Sequence, residues 1–138
     1  MRSIKYKIDL KKIAHQCVNL IEVAQDNKWE WKYDDDTDCL YYSKKEIPKG
    51  TEPITFKEDF SLFIDRESKI QGFYIEYFHS NLISHDKRFK NMEKIFDKKN
   101  KTNEIEKEHL VEIVAKDILG DIVENHQNEN KIQAISFI

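Results

Sequence analysis

Behind Asp9, the apolar residues Leu10, Ile13, Ala14, Cys17, Val18, Ile21 and Ala24 recur at the i, i+3, i+4 spacing of one helix face. Lys11, Lys12, Gln16, Asn19 and Glu22 occupy the polar side. The pattern predicts an amphipathic helix capped by Asp9 and ending near Asp26-Asn27. The period then changes to two: Trp29, Trp31 and Tyr33 alternate with Lys28, Glu30 and Lys32, a strand with one aromatic face. "CLYYS" at 39–43 reads as a second strand, and "KKEIPKGTEP" at 44–53 as a loop broken by Pro48, Gly50 and Pro53. "DFSLFID" and "KIQGFYIEYFH" read as two further strands joined by the turn "DRES". Short connections make an antiparallel meander the economical topology.

Helical spacing returns at "DKRFKNMEKIF", with Phe89, Met92, Ile95 and Phe96 on one side. After the polar break "DKKNKTN", Asn103 followed by Glu106 resembles a capping box opening a long helix. Leu110, Ile113, Val114, Ile118, Leu119, Ile122 and Val123 give that helix a wide apolar face, suited to lie deep against the sheet or a partner. The final "KIQAISFI" reads as a short strand or docked tail. The expectation is an α+β fold: a small antiparallel β-meander of about four strands, covered by an N-terminal helix and C-terminal helices. It divides one domain, 1–138, into a helix (1–27), a meander (28–80) and a helical part with a terminal strand or tail (81–138).

At 138 residues the chain can bury a core of its own, to which eight Phe, six Tyr and two Trp contribute. Charged residues make up 36% with both signs mixed, and the net charge of −3 offers no global attraction to nucleic acid or anionic membrane. No apolar run approaches the ~20 residues of a membrane helix, and no signal-type h-region follows Met1, so the expected location is the cytoplasm. Cys17 and Cys39 are too few for a disulfide framework.

Four aspartates, Asp34, Asp35, Asp36 and Asp38, fall within five positions between two aromatic strands. Asp34, Asp36 and Asp38 fit positions 1, 3 and 5 of a calcium loop, but Cys39 stands where its Gly belongs and Lys45 where its bidentate Glu belongs. No metal site and no cofactor are expected. A hairpin turn needs one or two aspartates, since Asp bonds its own backbone and tolerates positive φ. Four concentrate charge that repels itself, which makes the turn a candidate surface for a basic partner.

The same residues resemble a small family, domain of unknown function 2283, over about residues 29–78. Tyr33-Asp34, Asp36, Asp38, Leu40 and Tyr41 match its first half, and Asp65, Ile70, Gly72 and Ile75 its second. Ser68 stands where that family usually has Gly, Tyr42 where it has an aliphatic residue, and Tyr74 where an acidic one is frequent. The resemblance implies a compact bacterial sheet domain with no catalytic residues to carry over, and a link to the antitoxin half of toxin–antitoxin pairs.

Enzyme constellations are weak. Glu67-Ser68-Lys69 loosely imitates the E-x-K of a metal-dependent nuclease but falls in a predicted turn, and the histidines and three glycines form no metal or phosphate motif. Residues 87–101 carry seven Lys or Arg against Glu93 and Asp97, a local net of +5, interleaved with Phe89 and Phe96. The expectation is therefore a non-enzymatic interaction module, antitoxin-like or inhibitory, binding a basic partner through Asp34, Asp35, Asp36 and Asp38. Ile135, Phe137 and Ile138 would supply apolar anchors. The alternative is a nucleic-acid-binding regulator using Lys87, Arg88, Lys90, Lys94, Lys98 and Lys99, and the third reading is a metal-dependent hydrolase.

Overall fold

Five strands make one antiparallel sheet: β1 (Glu30–Asp34), β2 (Cys39–Ser43), β3 (Glu52–Lys57), β4 (Phe60–Ile64) and β5 (Ile70–Glu76). The structure is a computed structural model, and it describes residues 8–57, 59–92 and 104–126. The α+β class is as expected, with five strands rather than about four. The extra strand is β3, which begins inside the predicted loop. Pro53 is accommodated there because β3 is an edge strand, where a missing N–H need not break a ladder bond.

The spatial order is β1-β2-β5-β4-β3, which departs from a simple meander. Strands β3, β4 and β5 do follow one another, but the β1–β2 hairpin joins beside β5, so the β2–β3 connection crosses to the far edge. The set β2-β5-β4-β3 is thus a Greek key. Its register decides which residues share a face. Trp31 pairs with Tyr42, Tyr42 with Phe73 and Phe73 with Leu62, while Tyr33 pairs with Leu40 and Leu40 with Ile75. These residues form the face that packs toward the helices. Trp31 stacks flat on Tyr42 at 3.8 Å, and Phe73, fully buried, receives ring edges from Trp29, Trp31 and Tyr42. Trp29 itself is buried with its Nε1 unpartnered, the only such side-chain atom among the described residues.

Two helical pieces replace the single predicted N-terminal helix. Asp9 caps α1 (Leu10–Val18), its carboxylate accepting from the amides of Lys11 and Lys12 at 3.1 Å each. At Asn19 the backbone leaves helical geometry (φ −118°, ψ 37°), and α2 (Leu20–Asp26) begins. Asn is a weak helix former, and Leu20 and Ala24 stay buried with Ile13 and Cys17 across the break. Val18, an expected core residue, is turned out and 66% exposed.

Helix α1 is tied to the β4–β5 turn. Asp9 N donates to Ser68 Oγ, Gln16 Nε2 donates to Ser68 O, and Gln16 Oε1 accepts from Ile70 N. Ser68 has φ 61°, the left-handed geometry that favours Gly, and its side chain offsets the departure by receiving the Asp9 amide.

Helix α3 (Glu104–Asp121) buries Leu110, Val111, Ile113, Val114, Ala115 and Ile118 against α1, α2 and β3. Its predicted cap Asn103 lies outside the described residues, as do Ile95, Phe96 and the tail with Ile135, Phe137 and Ile138. Lys87–Met92 is a 3-10 turn rather than an α-helix, though Phe89 and Met92 are buried as their spacing predicts. No helix of the described residues is long and apolar enough to cross a membrane.

Both cysteines are buried and free. Burial pushes the Cys17 thiol up to about 12 and also raises that of Cys39. Neither is expected to react with Ellman's reagent at pH 8 until denaturant is added. Rapid labelling of Cys17, read in a Cys39→Ser chain, would mean that the α1–α2 break opens readily.

Candidate functional site

The acidic turn between β1 and β2 divides its four aspartates between two jobs. Asp34 Oδ1 accepts from Asp36 N at 3.0 Å, an Asx turn that bends the chain. Asp38 sits at φ 55°, a left-handed position that Asp tolerates better than most residues. Its carboxylate accepts from the Tyr33 hydroxyl at 2.6 Å, His79 N at 2.8 Å and Ser80 N at 2.9 Å. Its backbone carbonyl receives Phe78 N at 3.0 Å. Asp38 therefore clasps the start of the π-helical turn Phe78–Ile83 that follows β5.

The electrostatics follow from these bonds. Partial burial pulls the Asp38 carboxyl upward, but the Tyr33 hydroxyl and the His79 and Ser80 amides outweigh it and hold the group at about 2. The Tyr33 phenol moves well above its ordinary value, through burial first, then its bond to Asp38, then the charges of Asp38, Asp35 and Asp34. Asp35 and Asp36 stand exposed at the hairpin tip and, among the described residues, take part in no salt bridge. Two of the four predicted contact residues are thus presented outward, Asp34 is half engaged, and Asp38 is held within the fold.

The same geometry bears on the metal reading. No group of three or more His, Cys, Asp or Glu side chains among the described residues is placed to hold a metal ion. Asp38 is turned onto backbone amides, so the carboxylates at 34, 36 and 38 do not converge. Glu67 and Lys69 lie exposed in the β4–β5 turn, built on Asp65, whose carboxylate accepts from Glu67 N, Lys69 N and Gln71 Nε2.

The basic segment is only partly in view. Arg88 is engaged internally: its guanidinium bonds Asp86 and, at 2.8 and 3.0 Å, both carboxylate oxygens of Asp117, clamping the 3-10 turn to α3. Those bonds raise its pKa, with Asp86 the largest cause. Lys87 and Lys90 are exposed, whereas Lys94, Lys98 and Lys99 lie outside the described residues.

Sequence reasoning missed a third feature. The sheet face turned away from the helices carries Tyr41, Phe63 and Tyr74, with Tyr74 5.7 Å from Tyr41 and 5.2 Å from Phe63 between ring centroids. The signal is present in the chain all the same. Strands holding Tyr41-Tyr42, Leu62-Phe63 and Phe73-Tyr74 as consecutive bulky pairs must place rings on both faces.

Compared with family models, curated proteins and solved structures, the chain shows no match.

Proposed function

We propose that this chain is a non-enzymatic cytoplasmic interaction module that presents its β1–β2 hairpin to a basic protein partner and restrains it, in the manner of an antitoxin. The observation that carries this reading is the pair Asp35 and Asp36, exposed at the tip and, among the described residues, without an intramolecular cation. A turn alone is satisfied by the Asp34 Asx bond and by Asp38. Keeping two further carboxylates adjacent costs repulsion that a partner's Lys or Arg would relieve. The reading also draws on the sequence resemblance over residues 29–78, which no family-model match accompanies.

The test is capture of a partner from cells that encode the chain, followed by titration of the purified pair at several salt concentrations. Binding is expected to weaken steeply with salt, and Asp35→Asn with Asp36→Asn is expected to reduce affinity roughly tenfold while flattening the salt dependence. A partner bound equally well by the double variant, with the same salt slope, would remove the hairpin from the interface.

A further inference from the structure

The sheet face turned away from the described helices holds a hollow of about 510 Å³, whose lining includes Tyr41, Phe63, Tyr74, Tyr77, Glu76 and Thr37. Four aromatic rings and one carboxylate make an unusual lining. Each ring face carries negative quadrupole potential, and Glu76 adds a full negative charge. Among the described residues that line the hollow there is no lysine or arginine. In the sheet register Lys32 stands opposite Tyr41 on the β1 side; with Lys44 and Lys45 it lines the neighbouring hollow, which shares Tyr41 and Phe63, while Tyr74, Glu76 and Tyr77 belong to this one.

We propose that this hollow receives an arginine side chain of the basic partner, its guanidinium laid on the tyrosine rings and paired with Glu76. The inference rests on the reading that the partner is basic. A guanidinium fits better than an ammonium, because it is planar, stacks on aromatic faces and is more weakly hydrated. Position supports the assignment, since Thr37 belongs both to the acidic turn and to the wall of the hollow. A basic segment can therefore meet Asp35 and Asp36 at the tip and place a side chain on the sheet face.

Tyr77 supplies a second, independent observation. It has φ 55° and ψ 43°, a left-handed conformation that costs a residue with a Cβ but not glycine, and its side chain is 54% exposed. The left-handed backbone caps the π-helical turn, the Tyr77 carbonyl accepting from Asn81 N and Leu82 N, but the turn does not require the exposed phenol. That ring stands in the lining of the hollow. The Tyr41 phenol, pushed up to about 12 by its bond to Cys39 and by burial, stays neutral at physiological pH and leaves the hollow with Glu76 as its formal charge.

The test uses the full chain and N-acetyl-arginine methylamide as probe, followed through the tyrosine ring NMR resonances. The citrulline analogue, similar in shape but neutral, is the control. Saturable shifts of Tyr41, Tyr74 and Tyr77 are expected with arginine at ~1–10 mM, and none with citrulline. Glu76→Gln and Tyr77→Gly should each weaken binding roughly five- to tenfold. Tyr77→Gly removes the ring at a position whose backbone suits glycine, so retention of the fold is expected. Asp35→Asn with Asp36→Asn should leave probe affinity within about twofold, since the tip lies outside the hollow.

Unmoved ring resonances, equal shifts with citrulline, or unchanged affinity in Tyr77→Gly would overturn the proposal. The two readings fail separately. Probe binding that persists while the hairpin variant keeps full partner affinity defeats the hairpin and leaves the hollow. Lost partner affinity in the hairpin variant with silent tyrosines does the reverse.

Discussion

Gly72→Ala is expected to destabilise the fold by about 3 kcal/mol or more. Gly72 lies opposite Ser43 where β5 runs beside β2. A Cβ placed on it meets the Ser43 side chain and lies 2.5 Å from Ser43 Cα and 2.8 Å from the Tyr42 carbonyl oxygen. Two of those three obstacles are backbone, so no change of rotamer relieves the contact. Strand β2 would have to draw away from β5, opening the junction that joins the β1–β2 hairpin to the rest of the sheet. Ser43→Gly in the same chain should recover only part of the loss, because Ser43 Cα and the Tyr42 carbonyl remain. Urea unfolding provides the measurement: the midpoint should fall with little change in slope. A loss below about 1 kcal/mol would show that the two strands approach less closely than the structure has them.

Removal of the Asp38 carboxylate is expected to cost about 2 kcal/mol near neutral pH. Tyr33 OH, His79 N and Ser80 N would lose their common acceptor together. Asp38→Gly is the cleaner variant, since glycine suits φ 55° and the loss then reports the carboxylate rather than backbone strain. The pH dependence has a definite sign. The folded-state carboxyl is held at about 2, below its ordinary 3.8. The stability it contributes is therefore present above pH ~4 and fades as the pH falls through the window toward ~2. Urea titrations at pH 5 and pH 2.5 should show the wild-type chain losing more stability across that interval than Asp38→Gly. Equal losses would mean that Asp38 is no more strongly held in the folded chain than in the unfolded one.

These two sites also mark the limit of what the chain discloses before it is folded. Asp9 with the spacing that follows it foretells α1, and alternation around Trp31 foretells β1, because both signals are local. The break at Asn19 is hidden, since Asn19 sits on the polar side of an otherwise regular helical stripe. Strand β3 is hidden by Pro53, although Ile54 and Phe56 alternate as a strand requires. The pairing of β2 with β5 joins residues some thirty positions apart, and no local pattern specifies it. The acidic turn is legible as a turn. Its division of labour is not, because the amides that claim Asp38 come 41 and 42 residues later.

The strand order has a consequence for how the molecule is made. The central strand of the sheet, β5, is also the last of the five described strands to be synthesised, and among them it alone touches both β2 and β4. Until it leaves the ribosome, the β1–β2 hairpin and the β3–β4 hairpin share no edge, and a two-stranded hairpin by itself is marginal in water. The aromatic surface of Trp31 and Tyr42 waits for Phe73, which follows Tyr42 by 31 residues. Assembly is therefore a closing event rather than a gradual extension. Loop closure must be met before burial rewards it, a topology that slows folding and makes the nascent chain most vulnerable to aggregation just before β5 joins the two hairpins.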